Sequence, residues 1–264
     1  MDFRVELDGA PVTTEDLVAA MGNYGHFTAM QVRGGRVRGL ELHLDRLVTS
    51  TRRLFASELD TDRLLVNLRR VIKDEDALSV RVLVFTRALN WDDPGAPAAP
   101  EVLIRTGPPQ SPEPKPLRLR SVRYERVLPE VKHVGTFGIV HHIREAKIAG
   151  YDDALFLDNL GRVSEASIWN VGFLEGGKIV WPEAPVLPGI TLQLLRKGLR
   201  RQGIPQETRE VYPADLPGFD AMFVTNSQTS GTPVISVDDV ELRSDPDITR
   251  LLMEAYETNP RDEI

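Results

Sequence analysis

The stretch "GPPQSPEPKP", residues 107 to 116, limits what this chain can fold into more than any other. Its five prolines fix φ and remove backbone donors, and it holds almost nothing apolar, so no helix or inner strand can run through it. An extended, stiff connector is expected there. The reading that follows is a smaller N-terminal α/β domain over residues 1–107, a linker over 108–116 and a larger C-terminal domain over 117–264.

Both flanks carry mixed α/β patterning. In "HFTAMQVRGGRVRGLEL" the pair Gly34-Gly35 sits between two strand-like runs and signals a tight hairpin. Leu44, Leu47, Val48, Thr51, Leu54 and Phe55 then recur at helical spacing, as do Leu64, Leu68, Val71 and Ile72. "SVRVLVFTR" and "EVLIRT" read as strands around the loop "ALNWDDPGAPAAP". Beyond the linker, "DALFLDNLGRVSEAS" reads as strand, turn, strand. "LPGITLQLLRKGLRRQG" reads as a helix stopped by Gly203, and "DAMFVTNS" as a strand entering a polar turn.

The absence of cysteine removes disulfides, thiolate metal sites and a cysteine nucleophile, and fits a reducing cytoplasm. With 32 basic residues against 39 acidic ones, and the basic ones scattered, nucleic acid is not an expected partner. The start "MDFRVELDGAPV" lacks the pattern of a secretory leader, and no apolar run approaches the ~20 residues of a membrane span. A cytoplasmic protein with no membrane partner is expected.

Chemistry is expected where residues break the pattern. In "GRVSEAS" the period of two puts Glu165 on one face with Val163, and a buried carboxylate needs a cation or hydrogen-bond donors. The helix start "PGIT" offers the N–H groups of Ile190 and Thr191 and the Thr191 hydroxyl to an anion. The turn "TNSQTSG" offers further hydroxyls and amides, and it reads equally well as an ordinary turn. Lys147 falls in the last turn of a helical run, where a cation complements the dipole and stays solvated. Lys132 precedes that run between Val131 and His133-Val134, where partial desolvation favours a nucleophilic amine. Adjacent His141 and His142 point to different helix faces, with no third ligand at a recognisable spacing, so no metal site is expected.

In order and spacing these motifs resemble the class IV, or fold-type IV, pyridoxal-phosphate enzymes, from about Tyr24 to about Val237. That family includes branched-chain and D-amino-acid aminotransferases and aminodeoxychorismate lyase. The segments that carry the likeness are "HLDRLVTS", Lys132 followed by "EAKIAGYDDALFLDNLGRVSEASIWNVGF", "LPGIT" and "FVTNSQTSGTPV". The resemblance implies a two-domain D-amino-acid aminotransferase-like fold, mixed α/β, with the proline-rich segment between the domains. It implies pyridoxal 5'-phosphate as cofactor, amino and keto acids as small-molecule partners, and a homodimer.

Roles follow from the same likeness. Lys132 corresponds to the catalytic lysine that forms the Schiff base, and Glu165 to the carboxylate that pairs with the pyridine nitrogen. Arg46, Ile190, Thr191 and Ser227 correspond to the phosphate cradle, with Asn226 beside it and Leu187 packed on the ring. Tyr24, Arg81, Trp91 and Arg105 are candidates for touching substrate, each with an ordinary surface reading beside it, and so is Arg87. The expected activity is an amino-group transfer between an amino acid or amine and a 2-keto acid. The alternative is release of pyruvate and 4-aminobenzoate by the lyase; a lesser one is a cofactor-binding protein without turnover. Departures from the family pattern are "YGHFTAM" near the start, Phe137 in place of a tyrosine five residues after the lysine, and "EASIWN", so an ordinary branched-chain specificity is not expected.

Overall fold

A computed structural model describes residues 4–16, 21–73, 75–243 and 245–264. The chain forms two compact units, one of Met1–Gln110 with Val131–Gly135 and Pro260–Ile264, the other of Ser111–Glu130 with Thr136–Asn259. The first break therefore falls inside the proline-rich stretch, where residues 108–116 carry no regular structure. Two short segments beyond it return to the first unit, which differs from the division at 107 and 117 expected from the sequence.

The first unit is built on an antiparallel sheet. Its strand order is Asp262–Glu263, Arg36–Val37, Gly25–Arg33, Ala77–Phe85, Glu101–Gly107, Arg4–Leu7 and Ala10–Pro11. Gly34 and Gly35 both take positive φ, 56° and 70°, the conformation a two-residue hairpin turn demands, and Arg33 pairs with Arg36 across it. Alternate residues of the Gly25–Arg33 strand, Met30 and Val32, pack with Leu47 and Phe55 of the helix Leu40–Phe55 and with Leu64 and Leu68 of the helix Thr61–Ile72. The second helix starts three residues before its first apolar repeat position because Asp60 caps it, accepting the Arg63 N–H at 2.9 Å.

The same strand face carries two buried polar residues, His26 and Thr28. His26 Nε2 lies 3.0 Å from Thr51 Oγ1, and Thr28 Oγ1 lies 2.6 Å from His43 Nδ1. Burial, reinforced by the Arg46 charge, lowers His26 to about 4 and His43 well below its ordinary value. Both are therefore neutral when folded and take up protons on unfolding below about pH 6.5. Stability is fully present above that pH and is lost as pH falls towards 4, by roughly 3 kcal/mol from His26 alone. Urea unfolding between pH 7.5 and 4.5 is expected to give this slope and a flatter one in His26→Gln; an unchanged slope in the variant contradicts the assignment.

The segment Val131–Gly135 joins this sheet beside the start of the Gly25–Arg33 strand. The Phe27 N–H donates to the Lys132 carbonyl and the Val134 N–H to the Gly25 carbonyl, each at 2.9 Å, with His26 opposite His133. The hairpin partner Arg36–Val37 is two residues long and pairs only at the far end, at Arg33, so this strand start has backbone groups to offer.

The second unit holds a mixed sheet ordered Gln206–Arg209, Lys178–Pro182, Trp169–Glu175, Ala221–Thr225, Thr232–Val237, Leu117–Arg123, Asp153–Leu157 and Val163–Ala166, with Val240–Glu241 on the strand Thr232–Val237. Val163–Ala166 pairs with Asp153–Leu157 on one side and with Trp169–Glu175 on the other, so six strands close on themselves and bury what would be open edges. Leu119, Leu155, Val163, Phe173 and Val224 fill one core; Trp181, Leu195, Leu199, Phe223 and Leu252 form another with the helices Ile190–Arg201 and Ile248–Glu257. The helix Phe137–Ile148 packs through Ile139 and Ala146 on Phe156.

Candidate active site

Backbone pairing fixes Lys132 in the first unit, and its ammonium lies 4.9 Å from the centre of the Phe27 ring. Arg46 comes three residues after His43 on the helix Leu40–Phe55, so both reach the same neighbour, Thr28. A terminal N–H of Arg46 donates to the Thr28 hydroxyl, which also meets His43. Arg46 Nε is buried with no hydrogen-bond partner, and no carboxylate lies within ion-pair distance of its guanidinium among the described residues. Burial lowers Arg46 to about 10 and leaves it charged at neutral pH. A half-buried cation among neutral groups, with a donor to spare, is suited to an anion that a planar guanidinium can hold at two points.

Glu165 organises the polar cluster of the second unit. It is 6% exposed, and both its oxygens are engaged: Oε1 by Arg126 Nε at 2.7 Å and Oε2 by the Leu187 N–H at 3.2 Å. The partners that the sequence called for at Glu165, a cation or hydrogen-bond donors, are thus both supplied by the chain itself. The Leu187 carbonyl accepts from Asn170 Nδ2 at 2.8 Å, so this backbone unit is held from both sides. A Cβ at Gly189 would fall 2.0 Å from Asn170 Oδ1, so any larger residue there would displace the Asn170 amide from its place against Leu187. Ile190 and Thr191 are buried there, and N–H groups of a first helical turn have no acceptor within the helix.

Asn226 lies in the turn that follows the strand Ala221–Thr225. Its Oδ1 accepts the N–H groups of Gln228 and Thr229 at 2.8 and 3.3 Å and is committed to shaping its own turn, as asparagine commonly does; Ser227 stands exposed in that turn. Among the substrate candidates, the Tyr24 hydroxyl donates to the Leu54 carbonyl and its ring meets Phe55 edge-on. Arg81 lies 4.1 Å over the same Phe27 ring that Lys132 approaches, and faces Arg105 on the adjoining strand. Arg87 is paired with Glu101 and Asp16, and Trp91 is 83% exposed.

His141 is exposed and stacks on Phe137, while His142 packs against Tyr124; among the described residues no three histidines or carboxylates are grouped to hold a metal. Lys147 is exposed at the helix end. Sequence reasoning passed over Arg126, Thr28, Asn170 and Gly189. Of these only Thr28 had a readable signal, its place on the same strand face as His26, because the others matter through contacts between distant segments.

A family described as amino-transferase class IV matches residues 25–237. Over 117 residues, 42% of this chain, the sequence is 30% identical to a probable branched-chain-amino-acid aminotransferase of Aquifex aeolicus. That stretch is 38% of the relative's length, so the chain spans little more than a third of such curated relatives. Among solved structures, a branched-chain aminotransferase of Thermoproteus uzoniensis with norvaline superposes with a TM-score of 0.82 at 22% identity, covering 97% of this chain and 94% of that one. A putative 4-amino-4-deoxychorismate lyase of Legionella pneumophila gives 0.76 at 22%, covering 88% and 90%. At such identities the structures share the fold.

Proposed function

The chain belongs to the class IV aminotransferase family, and from that premise we propose that it is a pyridoxal-phosphate-dependent aminotransferase moving an amino group between an amino acid or amine and a 2-keto acid. The observation that carries the reading is the buried Glu165 carboxylate, fixed at both oxygens yet with lone pairs left over, since a carboxylate offers about four acceptor positions. The spare donor of Arg46 fits the phosphate of the same cofactor.

When bound, pyridoxal phosphate supplies an aldehyde that captures the amine and a ring that accepts the electron pair left when the α-proton departs. Lys132 Nζ would hold that aldehyde in the resting protein and, when freed by substrate, would take the α-proton and return it on the far side of the shared nitrogen, two atoms from where it left. In this reading Glu165 would keep a proton on the ring nitrogen. Arg46 and the N–H groups of Ile190 and Thr191, with the Thr191 hydroxyl and Ser227, would hold the phosphate, and Leu187 would face the ring. The substrates are small amino and keto acids, and the working form is a homodimer in the cytoplasm; family membership and a cysteine-free sequence support this. No helix among the described residues is long and apolar enough to cross a membrane.

An end-product assay tests the proposal. Protein given amino donors with pyruvate or 2-oxoglutarate is expected to form alanine or glutamate. A parallel incubation with aminodeoxychorismate examines the lyase reading, which "HFTAMQV", "VKH" and "TNS" favour, and 4-aminobenzoate without any alanine or glutamate would replace transamination with it.

A further inference from the structure

We infer that Arg126 is the positioning residue of this site, setting the direction of the Glu165 carboxylate before any cofactor arrives. The pair is almost fully enclosed, with side chains 5% and 8% exposed, and Arg126 is the one charged group within ion-pair distance of Glu165 among the described residues. Removing one partner of so enclosed a pair leaves the other charge without compensation. The guanidinium also reaches a second acceptor: Nε serves Glu165 Oε1 while Nη2 donates to the Pro129 carbonyl, three residues before Lys132. With the Leu187 N–H on Oε2, the carboxylate plane is fixed from two directions. Arginine suits this position because it stays charged and its rigid fork serves two acceptors, whereas a lysine ammonium is a single point.

The consequence for cofactor binding rests on the pyridoxal-phosphate reading, so the test has two parts. In cofactor-free protein, the infrared difference between each protein and its Glu165→Gln counterpart isolates the Glu165 band. The carboxylate stretches are expected to move in Arg126→Lys and further in Arg126→Met, as the hydrogen bonds that orient the group are lost. Pyridoxal phosphate titrated by fluorescence is expected to bind at least tenfold more weakly to both variants, because neither retains the two-point clamp.

Carboxylate bands in Arg126→Met unmoved from those of the parent, or affinity equal to the parent in Arg126→Lys, overturn the assignment. If Arg126→Met fails to fold, Arg126→Met with Glu165→Gln removes both charges and is expected to fold again; a double variant as unfolded as the single one also overturns it. If the parent itself does not bind pyridoxal phosphate, the proposed function falls while the infrared comparison still decides what Arg126 does.

Discussion

Lys132→Ala is expected to abolish transamination, lowering turnover by a factor on the order of ten thousand, the upper range for loss of a positioned acid–base group. The expectation rests on position as well as residue type. Lys132 is held by two backbone hydrogen bonds of its segment to the Gly25–Arg33 strand, with its ammonium against Phe27. Lys147 ends a helix in solvent. Borohydride reduction of the protein with pyridoxal phosphate, followed by peptide mapping, is expected to mark Lys132 and nothing else. A mark on Lys147, or turnover surviving in Lys132→Ala, removes the role. The variant should fold normally, because the hydrogen bonds that hold the segment come from its backbone.

Glu165→Gln is expected to have two separable effects. Pyridoxal phosphate still binds, through the phosphate contacts and Lys132, but α-proton removal slows by roughly a hundredfold or more, the scale for losing one electrostatic partner of a developing charge. An α-deuterated donor should then show a larger isotope effect than with the parent. The second effect is structural: the substitution leaves the Arg126 guanidinium buried opposite a neutral amide, and losing one member of a buried pair costs about 3–5 kcal/mol. Thermal unfolding of the cofactor-free protein reads that cost separately from the kinetics. Unchanged turnover in Glu165→Gln would refute the pyridinium role, and unchanged stability would refute the importance of the Arg126 pair.

The two residues were legible to different degrees. Glu165 betrayed itself through strand periodicity, because a charge on an apolar face is a local anomaly. Its partner did not. Arg126 lies 39 positions away in "RYERVLPE", a segment that reads as solvated, and only folding encloses it. Asn226 was legible as a turn residue, and its Oδ1 does shape that turn by accepting two of its N–H groups. The motif order pointed to Lys132, but nothing local foretold that residues 131–135 would pair with a strand more than a hundred positions earlier.

What the sequence determined by itself was whatever short-range chemistry dictates. Prolines forbade regular structure at 108–116, paired glycines made the hairpin at Gly34-Gly35, apolar spacing made the helices, and the order of motifs carried the family. Tertiary structure alone decided which donor meets which acceptor: Arg126 with Glu165, Thr28 between His43 and Arg46, Asn170 against Leu187. The reason is physical. Backbone preferences and periodicity act over a few residues and are written in the local sequence. A buried charge or hydroxyl must instead find its partner among groups the fold brings within about 3 Å, and that depends on the packing of segments far apart in the chain.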